Sequence, residues 1–108
     1  MAGAEMRVDI LHVPDCPNTA ALETRLAPLL QAHPEIEVTR RVIMTEEDAE
    51  RLGMTGSPTL LVDGADPFAR LGQKPSVSCR LYPDDQGRPG PAPSSRQLLE
   101  ALHLGAAH

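Results

Sequence analysis

The hydrophobic period of this chain changes from strand to helix and back within its first 43 residues, and that switch sets what it can fold into. Residues 6–13, MRVDILHV, carry Val8, Ile10, Leu11 and Val13 in a short β-branched run that reads as a buried strand. The next residues, PDCPN, are turn chemistry. From Asn18 to about Ala32, the residues Ala21, Leu22, Leu26, Leu29 and Leu30 recur near the helical period. Pro28 falls inside that run, lacks an N–H and clashes with the preceding turn, so a kink or a fresh turn is expected there. Residues 35–43, EIEVTRRVI, alternate apolar with polar and read as a second strand.

The rest of the chain continues the pattern. Thr45 is placed to cap a short helix, with Asp48 at the capping-box position and Gly53 as its end. Leu60, Leu61 and Val62 form a third strand, and Asp63-Gly64 turns the chain. After a connection over 65–75, VSCRLY at 77–82 alternates as a fourth strand, expected to lie antiparallel to the third. Residues 83–95 hold four of the eleven prolines, so they read as an extended surface loop without regular structure. Ser95 is expected to cap a last helix over 97–102. The order is β-α-β-α-β-β-α, an α/β chain.

With 108 residues this is one domain, residues 1–108. One Phe, one Tyr and no Trp leave the core to Leu, Val, Ile, Ala and Met, and leave little for stacking on bases. The net charge of −5 makes a poor partner for a phosphate backbone or an anionic membrane surface, so neither nucleic acid nor membrane is expected. No apolar stretch reaches the ~18–20 residues that span a bilayer, and MAGAEMRVDI lacks a basic segment followed by an apolar one. The expected address is cytoplasmic, where two cysteines are thiols with chemistry or small buried hydrophobes. Cys16, Cys79 and His12 are the only candidate metal set and have no zinc-site spacing, so no metal or cofactor is expected. Two thiolates can still hold Cu(I) or Hg(II). There is no Gly-rich phosphate loop and no Ser-His-Asp arrangement.

Two residues sharpen the reading. Cys16 follows the first strand at the start of the first helix, where unpaired N–H groups and the macrodipole favour negative charge. A thiolate there is the reactive form of cysteine. Pro58 stands in Gly56-Ser57-Pro58-Thr59, directly before the third strand.

With V-P-D-C-P-N-T after the first strand and RLGMTGSPTLLVDG at 51–64, the chain resembles the thioredoxin-like superfamily. It is also similar to small thioredoxin-like proteins that share C-P-N, S-P-T and C-R-L-Y motifs, some of them called organomercurial-lyase-like. The resemblance implies a central four-stranded mixed sheet flanked by helices on both faces. It implies a cis Ser57–Pro58 bond packed against Cys16, with Ser57, Pro58 and Thr59 offering backbone to a bound thiol or peptide. Dithiol members carry C-x-x-C, whereas here Thr19 replaces the second cysteine. The resemblance therefore implies a monothiol variant acting through mixed disulfides with a small thiol or a protein.

Thr19 can donate a hydrogen bond to the Cys16 thiolate, while Asp15 pulls the thiol the other way. Cys79 is either a resolving thiol or second soft ligand, or a small hydrophobe in a strand. His12 is a base or ligand on one reading and an ordinary core or edge histidine on the other. Asp9 sits one position from the carboxylate that dithiol relatives keep on this strand, where this chain has Ile10. Arg80 beside Cys79 can lower a thiol pKa or bind a carboxylate, but it alternates to the face opposite Cys79, so a solvated or capping role is expected. Glu46, Glu47, Asp48 and Glu50 read as a solvated helix face.

Three functions follow as expectations. The first is thiol redox or thiol transfer with Cys16 as nucleophile and Cys79 or an external thiol resolving. The second is handling of Hg, Cu or organomercurials by Cys16 and Cys79. The third is a non-catalytic binding module. Composition alone gives no oligomeric state.

Overall fold

A computed structural model describes residues 6–104. The elements run β1 (Arg7–His12), α1 (Pro17–Ala32), β2 (Glu37–Val42), α2 (Glu46–Leu52), β3 (Thr55–Ser57), β4 (Thr59–Val62), β5 (Ser76–Cys79), β6 (Tyr82–Pro83), β7 (Pro89–Gly90) and α3 (Ser95–Ala101). β1 is the middle strand of a mixed sheet of order β2-β1-β4, parallel to β2 and antiparallel to β4. The parallel β1–β2 pair encloses α1, the crossover that two parallel strands require.

Side-chain alternation along β1 divides the core. Val8 and Ile10 face one way and pack with Leu22 and Leu26 of α1, Leu60 of β4, and Leu98 and Leu102 at α3. Leu11 faces the other way and packs with Ile43, Ala49 of α2 and Met54. Helices therefore lie on both faces. Each fully buried Leu contributes about 1.5–3 kcal/mol relative to exposure. Aliphatic side chains supply nearly all of this core, with Tyr82 the one large aromatic buried.

The expected four-stranded sheet is corrected. The segment 55–62 is broken at Pro58, which has no N–H to give a ladder. Its first half, β3, pairs with β5 and its second half, β4, with β1. β5 runs parallel to β3, with Thr55 opposite Ser76 and Ser57 opposite Cys79, not antiparallel to the third strand as expected. The run 77–82 is also broken, since β5 stops at Cys79 and Tyr82 begins a separate hairpin with β7. The Ser57–Pro58 peptide is cis, as the resemblance implied.

Three further expectations change. α1 runs through Pro28 as one 16-residue helix, so no fresh turn starts there. The proline-rich stretch is structured: β6 and β7 pair, and the Asp84 carboxylate accepts from the N–H groups of Gln86 and Arg88, each at 2.8 Å. Arg25 of α1 then donates to the carbonyls of Ala92 (2.7 Å) and Pro93 (3.0 Å), which are buried. The last helix is capped by Ser94 rather than Ser95, in a reciprocal box with Gln97. Thr45 caps α2 as expected, accepting from Asp48 N at 3.1 Å, and Gly53 ends it at φ 92°. No described helix is long and apolar enough to cross a membrane.

Candidate functional site

Cys16 is the N-cap of α1, with Pro17 in the first helical position, where a missing N–H costs nothing. The turn into it places Asp15 at φ 57°, a left-handed conformation that Asp and Asn tolerate better than most residues. Cys16 is 8% exposed. Its Sγ lies 3.7 Å from the carbonyl oxygen of Ser57 and donates to it as a thiol. That same oxygen accepts the N–H of Arg80 at 2.9 Å. Ser57 is fully buried, and its Oγ accepts the N–H of Val13 at 3.0 Å, tying the Cys16 turn to the Pro58 turn.

As a thiol, Cys16 makes no capping hydrogen bond to its helix. Burial pushes the thiol up. The Ser57 side chain, the Thr19 hydroxyl and the backbone N–H groups of Thr19 and Asn18 favour the thiolate and together outweigh burial. The net direction is down from the ordinary thiol value. Asp15 is exposed and screened by water, and it does not reverse this. Thr19 is buried, and its hydroxyl has no hydrogen-bond partner while Cys16 is a thiol. A buried hydroxyl left unpaired is costly, and ionisation of the neighbouring sulfur supplies the missing acceptor.

Beside the sulfur opens a groove of about 460 Å³ lined by His12, Asp15, Cys16, Thr19, Glu23 and Thr24, with Ala20 between. His12 Nδ1 lies 3.0 Å from the Val13 carbonyl. A carbonyl only accepts, so Nδ1 carries the proton and Nε2 is left as the free nitrogen. The structure thus brings Cys16, Thr19 and His12 together. Asp9 is not among them. It is 6% exposed, belongs to a groove on the α2 face, and is held by Arg7 Nη2 at 3.2 Å.

Pro58 and Thr59 are buried and do not line the groove. They act behind it. The Pro58 carbonyl accepts from the Tyr82 hydroxyl. Thr59 Oγ1 donates to Gly56 O at 2.6 Å and accepts from Thr55 N at 3.2 Å. Cys79 lies opposite Ser57 in the β3–β5 register, is exposed, and is free, as is Cys16. Among the described residues, no group of three or more His, Cys, Asp or Glu is placed to hold a metal.

Arg80 corrects the sequence reading most sharply. It does alternate away from exposed Cys79, but that places it inside the protein at 6% exposure, not in solvent. Its Nη1 reaches Asp66 Oδ2 at 2.8 Å, Thr55 Oγ1 at 3.1 Å and Thr59 Oγ1 at 3.3 Å. Its Nη2 donates to Phe68 O at 2.9 Å, and its guanidinium lies 4.4 Å from the centre of the Tyr82 ring. Gly56 makes room for it: at φ 121°, a Cβ there would stand 2.7 Å from Arg80 Cβ. The Arg80 carbonyl accepts from Asn18 Nδ2 at 3.2 Å, so the first turn of α1 is fastened to it as well. Nothing in the sequence singles out Asn18 or Glu23 as part of the site. The lone Gly56 beside Pro58 was the one local signal of a close backbone approach.

Comparison of the chain with family models, with curated proteins and with solved structures finds no match.

Proposed function

We propose that this chain is a thioredoxin-like monothiol protein that carries out thiol–disulfide exchange through Cys16. The observation that carries the reading is the setting of that sulfur: the N-cap of a 16-residue helix, facing the Ser57 carbonyl, with hydrogen bonds that favour its charged form. The Ser57–Pro58 turn against the cysteine and the mixed sheet with helices on both faces support the thioredoxin-like assignment.

The thiolate attacks one sulfur of a disulfide. A new S–S bond forms to Cys16, the old one breaks, and the released thiolate takes a proton from water. A second thiol then attacks the mixed disulfide and frees Cys16. Thr19 stands where a second cysteine would close the first onto itself, so the resolving thiol is Cys79 or a small external thiol. The substrate is a small-molecule thiol or a protein disulfide in a reducing compartment such as the cytoplasm.

The test is intact-protein mass spectrometry after exposure to bis(2-hydroxyethyl) disulfide, followed by addition of a small thiol. A Cys16 adduct that the thiol removes, forming faster than any at Cys79 and absent from Cys16→Ser, is the expected result. Adducts confined to Cys79 would overturn the reading.

A second reading, capture of Cu(I) or Hg(II) between two sulfurs, draws support from Ser57 alone, which accepts from Cys16 and lies opposite Cys79. It requires metal uptake to fall when either cysteine becomes serine.

A further inference from the structure

We propose that two copies of this chain associate through the free edge of β2, whatever the chemistry of Cys16. β2 is an outer strand of its sheet, six residues long, and it pairs with β1 in unbroken register with neither bulge nor proline. Glu37 donates its N–H to Met6 O at 2.9 Å and Ile43 donates its N–H to His12 O at 2.7 Å, so the odd-numbered residues turn their backbone groups to β1. The N–H and C=O groups of Val38, Arg40 and Val42 therefore point away from the sheet, and no partner meets them among the described residues. An exposed row of this kind is a template for another strand. The opposite edge is shorter and partly closed: β4 has four residues, and Val62 donates its N–H to Ala65 O at 2.7 Å.

The side chains of β2 select the partner and the register. In an antiparallel pair related by a two-fold axis, each register sets one residue opposite its own copy. With Arg40 or Arg41 on the axis, like charges meet. With Val38 there, Arg41 meets Glu35, which His33 already holds at 3.3 Å, and Glu37 meets no cation. With Thr39 on the axis, Thr39 faces Thr39 of the second copy, and Glu37 of each copy faces Arg41 of the other. Glu37 and Arg41 are exposed, alternate to the α2 face and make no ion pair among the described residues. In the same register Val38 and Arg40 become the hydrogen-bonded pairs and use the backbone groups that β1 leaves free. Arg40 keeps its charge answered by Glu23 at 3.0 Å. Val42, a large apolar side chain left 55% exposed, comes opposite Ile36. Opposite-charge and Thr–Thr pairs across strands are each favourable. The product is one continuous sheet through both copies, with the two Cys16 turns at opposite ends.

The experiment is sedimentation equilibrium of the full chain with a reductant present, so that no disulfide between exposed Cys79 residues contributes. The mass should climb with concentration from the 11.6 kDa of one chain toward twice that value. Glu37→Arg and Arg41→Glu should each weaken association about tenfold or more, since either change turns both attractive pairs repulsive. Mixing the two variants in equal amounts should restore the dimer, and so should Glu37→Arg with Arg41→Glu in one chain, because both arrangements put opposite charges back across the axis. That rescue separates a lost interface from a lost fold. A chain that stays monomeric at every concentration, a dimer indifferent to the reversals, or single variants that neither the mixture nor the double variant rescues would overturn the proposal.

Discussion

The thiol of Cys16 and the backbone N–H of Arg80 converge on one acceptor, the carbonyl oxygen of Ser57, at 3.7 Å and 2.9 Å. The sharing couples a surface groove to an interior network. Ser57 is held from one side by β5 and from the other by the turn that carries Cys16. Whatever fixes Arg80 therefore fixes the acceptor that faces the sulfur.

Thr19 is expected to act on the charge of that sulfur rather than on the fold. Thr19→Val removes the hydroxyl but keeps the shape. The pH midpoint of Cys16 alkylation should rise by about half to one unit, because a hydrogen bond that favours the thiolate is lost. Thr19→Ser should restore it. Stability in urea should not fall with Val, since the buried hydroxyl has no partner in the thiol form. An unmoved midpoint would remove Thr19 from the site.

Arg80 and Asp66 form a buried pair, with side chains 4% and 12% exposed and 2.8 Å between them. Arg80→Gln leaves the Asp66 carboxylate without its partner inside the protein and should cost about 3–5 kcal/mol in urea unfolding. Asp66→Asn made in addition should cost less than the sum of the two singles, with a coupling of roughly 1–3 kcal/mol. Strictly additive losses would mean that the two groups act independently.

Tyr82 gives an optical signal free of background, since it is the only tyrosine. Burial pushes its hydroxyl well above the ordinary range; the nearby Arg80 charge lowers it and that of Asp66 raises it, and neither reverses the direction. The folded state thus holds the proton that the unfolded state gives up near pH ~10. Its contribution to stability is complete below that value and is lost as pH rises above it. Tyrosinate absorbance should appear together with loss of the far-ultraviolet circular dichroism. A reversible titration near pH ~10 in an intact fold would contradict the burial.

Local chemistry was legible in the sequence where local residues decide it. The strand–turn–helix around Cys16, the Thr45 cap and the turn at Ser57–Pro58 each rest on residues next to one another. Pairing was not legible, because it depends on where a strand breaks. The apolar run after Gly56 reads as one strand starting at Leu60, yet Pro58 divides 55–62 between two partners. That division puts Cys79 opposite Ser57 and turns Arg80 inward. Alternation correctly separated Cys79 from Arg80, but it cannot say which of two faces is covered. The order of the stretch 83–95 escapes its sequence for a related reason. Its prolines forbid long ladders, and its order comes from distant partners, Arg25 on α1 and Gln97 on α3, the latter donating to Pro83 O at 2.8 Å.

The central claim is that Cys16 is an activated thiolate, and the rate of its alkylation against pH tests it most directly. Reduced native protein is labelled with iodoacetamide, and the two cysteines are followed separately by peptide mass spectrometry, with Cys79 as the exposed comparator. The account predicts a Cys16 midpoint below the ~8.5 of free cysteine, with Cys16 reacting through its groove in the folded state. A midpoint at or above that value, or a Cys16 that reacts only after unfolding, would contradict it.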